Sequence, residues 1–158
     1  MAALLHLAGH QVVGISMHLF EKPPAPGAMG KCCTLGDFDD ARRIAAQVGF
    51  PHYVLDFQDR FREMVIRPFI ASYMDGETPS PCILCNQHLK FKSLLEMASD
   101  FDAHVVATGH YARIDTAGGL HHLLKADDPA KDQSYFLFSH TQETLARTLF
   151  PLEALTKA

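Results

Sequence analysis

Hydrophobic residues along this chain alternate between a helical spacing and the dense, β-branched runs typical of strands. A helix is predicted at residues 1–7, and strands are predicted at 11–19 and 52–57. Between these strands, a helix that starts at Thr34 or Asp37 and ends near Val48 has apolar positions three and four residues apart. We expect the following positions to form its buried face: Phe38, Ala41, Ile44, Ala45 and Val48.

The alternation continues through the second half of the chain. A helix is predicted at 60–73 with a break at Pro68, because proline cannot donate to the helical hydrogen-bond ladder. The later elements are a loop at 75–84, a helix from Cys85 or Asn86 to about 99, a strand at 103–108, a hairpin of 111–115 and 120–125, and a helix at 142–148. Strands that alternate with helices in this way predict βαβ units and a parallel sheet.

Three polar or glycine-containing segments fall at or after predicted strand ends, where α/β sheets bind their ligands. They are the loop after Met17, the pair Gly109 and His110, and the run at 131–133. Glycine allows a ligand to approach the backbone closely, and a histidine can contact a phosphate or a base. The run at 131–133 could bind a phosphate backbone, but its spacing alone favours an ordinary solvated loop.

Composition limits the class of protein. The chain has 158 residues, 47% of them hydrophobic, and its formal net charge is −4. This composition excludes a disordered tail, and no apolar run reaches the roughly 18 residues of a membrane span. The first residues do not resemble a signal peptide, so we expect a cytoplasmic protein without membrane association. The slight acidity argues against a generally basic nucleic-acid-binding surface but leaves room for a local one.

The four cysteines form two tight clusters, Cys32 with Cys33 and Cys82 with Cys85, unlike the dispersed spacing of a secreted disulfide framework. A proline-framed C-x-x-C before a helix favours a reactive cysteine, a redox pair or half of a metal site, because thiols at helix N-termini ionise more readily. The alternative is two packed loop cysteines. For Cys32 and Cys33, packing and a share in a metal site with the other pair are equally consistent with the sequence.

Six stretches together resemble one family, the tRNA-specific 2-thiouridylases. In chain order they are GHQVVGISM, DARRIAAQVGFPHYVLDF, ETPSPCILCNQHLKFKSLL, ATGHYAR, DPAKDQSYFLF and TLFPLEALTK, and they cover nearly the whole chain. The C-x-x-C form of the third stretch resembles a bacterial subgroup, since many relatives carry aspartate in place of Cys82.

The resemblance implies a Rossmann-like PP-loop ATP-pyrophosphatase domain (adenine nucleotide alpha hydrolase-like) that uses ATP with magnesium. It also implies 2-thiolation of the wobble uridine, U34, in tRNAs of the lysine, glutamate and glutamine type. ATP adenylates the uridine C2 oxygen with release of pyrophosphate, and a cysteine persulfide or activated sulfide then displaces AMP. The implied partners are tRNA and a sulfur-carrier protein or cysteine desulfurase.

The resemblance also implies roles for individual residues. Cys85 matches the catalytic nucleophile, whereas Met17 and Gly109 match contacts to ATP. Residues that match contacts to the target base or the tRNA are Ser80, Pro81, Cys82, His110, Lys131, Asp132 and Gln133. Cys82 and Cys85 could also ligate a [4Fe–4S] cluster, with a third thiolate from a downstream region or from Cys32 or Cys33.

One departure from the family pattern changes what we expect of this chain. The phosphate-binding motif S-G-G-x-D-S does not occur in it. We therefore expect residues 1–158 to be a partial N-terminal catalytic domain that lacks the first strand, the phosphate loop and the central and C-terminal tRNA-binding domains. Such a chain should be inactive alone. Two alternatives stay open: a non-catalytic zinc- or Fe–S-binding module, and another ATP-pyrophosphatase that acts on a small molecule.

Overall fold

A computed structural model describes residues 1–19 and 35–156. The described residues form two compact units, one of Ala2–Glu63 and one that begins at Met64. The elements of the first unit are α1 (Ala2–Leu7), β1 (Gly14–His18), α2 (Leu35–Val48), β2 (His52–Asp56) and α3 (Gln58–Phe61). Strands β1 and β2 are parallel, with Gly14 opposite His52 and His18 opposite Asp56. The predicted βαβ arrangement of this region is confirmed.

Helix α2 buries a narrower face than its sequence predicts. Phe38 and Ala45, seven residues apart, are buried, whereas Ile44 is 47% exposed. At about 100° per residue, a position six residues beyond Phe38 lies about 120° away from it around the helix. The placement of Ile44 on the buried face is therefore wrong, because the stripe that packs inward follows Phe38 and Ala45.

The helical region after β2 changes geometry before its proline. A π-helical turn, Arg62–Ile66, follows α3, and α4 (Arg67–Met74) begins after it. Pro68 is the second residue of α4, directly after the π-helical turn, and Ile66 has helical backbone angles (φ −69°, ψ −48°). The helical region therefore changes geometry just before the proline, which cannot donate a hydrogen bond, but it does not break into two separate helices.

After α4, the second unit contains a long helical region followed by short strands. These elements are α5 (Pro81–Leu84), a π-helical segment (Cys85–Ser93), α6 (Leu94–Ala98), a 3₁₀ turn (Ser99–Phe101), β3 (Val106–Ala107), β4 (Ala112–Ala117), β5 (Leu120–Lys125), a second 3₁₀ turn (Ser134–Leu137), α7 (Gln142–Ala146) and β6 (Thr148–Leu149). We call residues 81–98, which combine α5, the π-helical segment and α6, the cysteine helix.

Two separate strand ladders form in this unit. Strand β3 pairs in parallel with β6, whose residues the sequence assigned in part to a helix. Strands β4 and β5 form the predicted antiparallel hairpin, and its turn residues Gly118 and Gly119 have φ angles of 60° and 78°. Positive φ at both positions suits a two-residue turn that glycine adopts without steric cost.

The core of the second unit joins the cysteine helix to the hairpin and to the second 3₁₀ turn. Its buried members are Phe91, Ala112, Leu137 and Phe150, and Ile114 and Leu123 of the hairpin pack against them. These contacts fix the position of the cysteine helix relative to the segments that surround it. None of the helices in the described ranges is both long and apolar enough to cross a membrane.

Candidate functional site

The cysteine helix begins four residues earlier than its sequence predicts. Pro81 is its first residue, and Ser80, with extended backbone angles, precedes it. Proline is well suited to the first helical position, because its fixed φ matches the helix and its missing N–H would be unpaired there. The prediction of loop up to residue 84 is therefore wrong: Pro81 starts a helix.

Because the helix starts earlier, Cys82 and not Cys85 lies at its N-terminus. Cys82 lies in the first helical turn and is exposed, whereas Cys85 lies one turn further along and is only 8% exposed. Neither is joined to another described cysteine by a disulfide. The influence of a helix terminus falls off beyond its first turn. The expectation that Cys85 sits at the helix N-terminus is wrong, and Cys82 holds that position.

Asn86, which follows Cys85, connects the cysteine helix to the turn Ser134–Leu137. Its side chain is 3% exposed, and its Nδ2 donates to the backbone carbonyl of Phe136 across 3.1 Å. No described residue donates to its Oδ1, which is also buried. Sequence reasoning missed Asn86, although a buried amide beside a candidate nucleophile is the kind of group that positions a site.

Gln133 holds the polar run at 131–133 against the segment after β3. The backbone N–H of Tyr111 donates to Gln133 Oε1 across 3.0 Å, and the Gln133 N–H donates to the Tyr111 carbonyl across 2.8 Å. Tyr111 directly follows His110. The structure thus brings together two segments that the sequence treats as separate candidates.

Asp132 shapes the same loop with both of its carboxylate oxygens. Oδ1 accepts from the Ala126 and Ser134 N–H groups across 3.0 and 3.3 Å, and Oδ2 accepts from Ser134 Oγ across 2.8 Å. Burial raises the pKa of Asp132, but these hydrogen bonds and the charge of Lys125 together lower its pKa below the usual value. Asp132 is therefore an ionised group that holds the loop in shape.

Lys131 differs from its two neighbours in the loop. Its backbone N–H donates to the Asp128 carbonyl across 3.1 Å, and its side chain is exposed. Within the described ranges, its ammonium group has no hydrogen-bond or ion-pair partner. A cation held on a fixed loop in this way is available to an anionic ligand.

His110 lies beside the core, and its environment favours the neutral imidazole. Burial lowers its pKa to about 4, with further contributions from the charges of Lys90 and His140. Its Nδ1 is 2.9 Å from Thr108 Oγ1, and its ring centroid is 5.9 Å from that of Phe91. At neutral pH such a ring can share a hydrogen bond with a base or a hydroxyl group but brings no positive charge to a phosphate.

The two predicted nucleotide contacts lie in different units. Met17 is a partly buried residue of β1 opposite Leu55, and Gly109 is an exposed residue just beyond β3. A Cβ added at Gly109 would approach Leu152 Cδ1 only to 3.8 Å, an ordinary van der Waals distance. Packing within the second unit thus does not require glycine there, and its role towards a ligand stays a prediction.

A pocket of about 400 Å³ lies between the cysteine helix and the region of α7, and no sequence pattern predicted it. It is lined by Phe91 and Lys92 from the helix and by His140 and Arg147 from the other side. Neither cysteine of the described C-x-x-C pair lines it. The pocket is therefore separate from the candidate thiol chemistry.

Ligands for a metal ion or cluster are incomplete in the part of the chain that the structure describes. Cys82 and Cys85 supply two thiols, and no group of three or more His, Cys, Asp or Glu side chains that could hold a metal occurs among the described residues. Cys32 and Cys33 lie outside these residues. The two described thiols alone do not fit a [4Fe–4S] cluster, which needs at least a third ligand.

Parallel strand pairs with polar segments beyond their ends define an α/β domain of the Rossmann-like type. Over residues 1–158 the chain matches the family model described as tRNA methyl transferase HUP domain, and it belongs to this family. Its resemblance to tRNA-specific 2-thiouridylases is also confirmed. The protein named tRNA-specific 2-thiouridylase MnmA in Geobacter metallireducens is 51% identical over 161 residues, which cover 99% of this chain and 44% of that protein.

Two further relatives carry the same name. The protein from Rhodospirillum rubrum is 54% identical over 157 residues, covering 98% of this chain and 41% of that protein. The protein from Solibacter usitatus is 50% identical over 164 residues, covering 99% and 44%. The chain therefore spans less than half the length of the curated relatives that it matches.

Proposed function

We propose that this chain carries the thiol chemistry of a tRNA 2-thiouridylase, an enzyme that replaces the C2 oxygen of the wobble uridine by sulfur in an ATP-dependent reaction. The name shared by its relatives supports this reaction class. The observation that carries the proposal is the hydrogen bond from Asn86 to the Phe136 carbonyl. This bond ties the helix that bears Cys82 and Cys85 to the turn Ser134–Leu137, which directly follows the predicted tRNA contacts at 131–133.

The proposed reaction has three balanced steps. The uridine C2 oxygen attacks the α-phosphorus of ATP, and the bond to pyrophosphate breaks. The terminal sulfur of a persulfide on Cys85 then attacks C2, and AMP leaves with the former uridine oxygen. Finally a second thiol attacks the Cys85 sulfur, so that a disulfide forms and the sulfur remains on the uridine. The second thiol and the Cys85 thiol are thus oxidised to a disulfide, and the transferred sulfur is reduced. An external thiol must reduce the disulfide before the next turnover.

The described residues divide this work by their environments. Cys85 is buried, which would protect a persulfide from reductants in solution, and Cys82 is exposed where the target base would enter. The neutral His110 is suited to a hydrogen bond with the base, and Lys131 is suited to a phosphate of the RNA. Met17 and Gly109 keep their predicted roles as contacts to ATP. Ser80 and Pro81 keep their predicted roles as contacts to the target base.

Sulfur transfer through a [4Fe–4S] cluster is the competing route. The described residues supply two thiols for it, so we place no step on a cluster. Anaerobic reconstitution with iron and sulfide, read by visible absorbance and iron content, separates the routes. If the unchanged chain forms a cluster and each of the single variants C82S and C85S does not, the persulfide route is overturned. Iron-free protein that carries a persulfide would support that route. The sulfur-carrier partner and the cytoplasmic location stay predictions.

The persulfide half-reaction tests the proposal directly, because it needs neither ATP nor tRNA. The 158-residue chain is incubated with a cysteine desulfurase and L-cysteine, and the peptides are analysed by mass spectrometry after alkylation. We expect an additional sulfur atom on Cys85, retained in C82S and lost in C85S. A persulfide that forms only on Cys82 would contradict the assignment of the nucleophile.

A second measurement addresses the RNA substrate. An anticodon stem-loop with 5-iodouridine at position 34 is irradiated with the chain, and the cross-linked peptide is identified. We expect a cross-link within residues 80–85. Cross-links confined to other segments, with the iodouridine moved to the stem as the control, would overturn the placement of the base.

A further inference from the structure

Two aromatic side chains on the turn Ser134–Leu137 and its flank are unusually exposed. Tyr135 is 71% exposed and Phe138 is 64% exposed, and their ring centroids are 6.4 Å apart with the planes inclined by 48°. Residues three apart in a 3₁₀ turn lie on the same side of it, which explains why the two rings are neighbours. We call these two residues the aromatic pair. Adjacent large apolar groups in water are a common mark of a binding surface.

The backbone that carries the aromatic pair is held firmly in place. Leu137, between the two exposed rings in sequence, is 0% exposed and belongs to the core of the second unit. The Phe136 carbonyl accepts the hydrogen bond from Asn86, and the turn packs against α5, which contains Cys82. The rings are therefore presented on a fixed surface that adjoins the cysteine helix.

The charges beside the aromatic pair favour an anionic partner. Three aspartates precede it, and each already has a donor within the second unit. Asp127 pairs with Arg113 across 3.2 Å, the Ala130 N–H donates to Asp128 across 3.0 Å, and Asp132 accepts from Ala126 and Ser134. Only the Lys131 ammonium of this loop has no partner in the described ranges. The exposed surface thus combines two ring faces with one available cation.

We propose that the aromatic pair is a stacking surface for unpaired RNA bases, with Lys131 on a phosphate of the same strand. This inference rests on the proposed function, since it places the bases that neighbour the wobble uridine beside the cysteine helix. Single-stranded RNA is bound by aromatic rings that stack on bases together with cations that follow the backbone. A ring pair with one adjacent lysine matches both parts of this chemistry.

The absence of tryptophan from the sequence allows a direct measurement of stacking. The F138W substitution introduces the single tryptophan of the chain, at an exposed ring position. On titration with a 17-nucleotide anticodon stem-loop, stacking should quench the tryptophan fluorescence until the quenching saturates. The dissociation constant from this quenching should equal the one measured separately by fluorescence anisotropy of labelled RNA. A tryptophan signal that stays unchanged while the RNA binds would overturn the proposal.

Ring removal and charge removal should have different signatures. Y135A and F138A should each weaken binding of the stem-loop by roughly 5- to 150-fold, which is the loss of affinity that corresponds to the stacking energy of one base. Y135F keeps the ring and should bind within about twofold of the unchanged chain. A plot of the logarithm of the association constant against the logarithm of the salt concentration has a negative slope. K131A should make this slope less steep by about 0.7, whereas Y135A should leave it unchanged.

Tyr73 provides the matched control, because it is 68% exposed in α4 and Y73A should bind the stem-loop normally. Equal losses in Y73A and Y135A, or no loss in Y135A, would overturn the proposal. If Y135A instead changes only the sedimentation of the chain, the pair is a contact between copies and not an RNA site. The proposed function is tested by a different measurement, the persulfide loading of Cys85, which does not involve these rings. Failure of one proposal can therefore be distinguished from failure of the other.

Discussion

Acid should destabilise the second unit through two partly buried histidines, His110 and His140. Burial lowers the pKa of both from 6.5 to about 4, and for His110 the nearby charges of Lys90 and His140 act in the same direction. His140 Nδ1 is 3.0 Å from Thr144 Oγ1, and none of the described residues bonds its buried Nε2. Between pH 6.5 and 4 the unfolded chain therefore binds more protons than the folded one, so stability falls as the pH falls through this window.

The size of the effect follows from the two pKa values of His110. A histidine with a pKa of 6.5 when unfolded and about 4 when folded lowers the free energy of unfolding by about 1.4 kcal/mol at pH 5.5 and about 2.6 kcal/mol at pH 4.5, relative to neutral pH. These are upper values, since His110 is partly exposed. For His140 the loss should be smaller, because its larger exposed fraction allows water to screen the charge.

Urea unfolding followed by circular dichroism, at pH 7.5 and pH 4.5, measures this loss in the unchanged chain and in H110F. The substitution removes the Thr108 hydrogen bond at both pH values, so the change between them isolates the titration. We expect H110F to lose up to about 2.6 kcal/mol less stability on acidification. H122Q, at an exposed position of β5, is the control and should keep the original loss. Equal losses in H110F and the unchanged chain would refute the reasoning.

Three further predictions concern the site and its supports. N86A should lower the free energy of unfolding by about 1–3 kcal/mol, because the Phe136 carbonyl loses the donor that Asn86 supplies; unchanged urea midpoints would contradict this. Iodoacetamide should alkylate Cys82 well before Cys85, which is 8% exposed, and peptide mass spectrometry that finds equal rates would contradict the structure. G119A should cost about 1 kcal/mol because of its positive φ, whereas G109A, with no close contact, should be near neutral in thermal unfolding.

Sequence patterns predicted the elements whose signal is local. Gly118 and Gly119 marked the hairpin turn, and the density of β-branched residues marked β1, because each signal depends on residues next to one another. Strand β6 was missed because two residues, Thr148 and Leu149, cannot show a period. Pro81 was misread because proline is common both in loops and at the first position of a helix.

The candidate site could be predicted only as separate pieces. The C-x-x-C pair and the polar run at 131–133 are visible in the sequence, but the contacts that join them are not. Asn86 bonds to a residue 50 positions away, and Gln133 bonds to one 22 positions away. Such pairings depend on how the helix, the hairpin and the turn pack, and a single sequence does not contain that information in any local pattern.

The distribution of charge is compatible with the proposed local surface for RNA on an acidic chain. Part of its negative charge is paired with nearby arginines. Side-chain ion pairs of the described aspartates include Asp39–Arg42, Asp40–Arg43, Asp59–Arg62 and Asp127–Arg113. Asp132 is engaged by backbone and hydroxyl donors, whereas the adjacent Lys131 has no partner among the described residues. A strand of RNA would meet this lysine at short range, where its attraction outweighs a net charge of −4 that is spread over the chain and screened by salt.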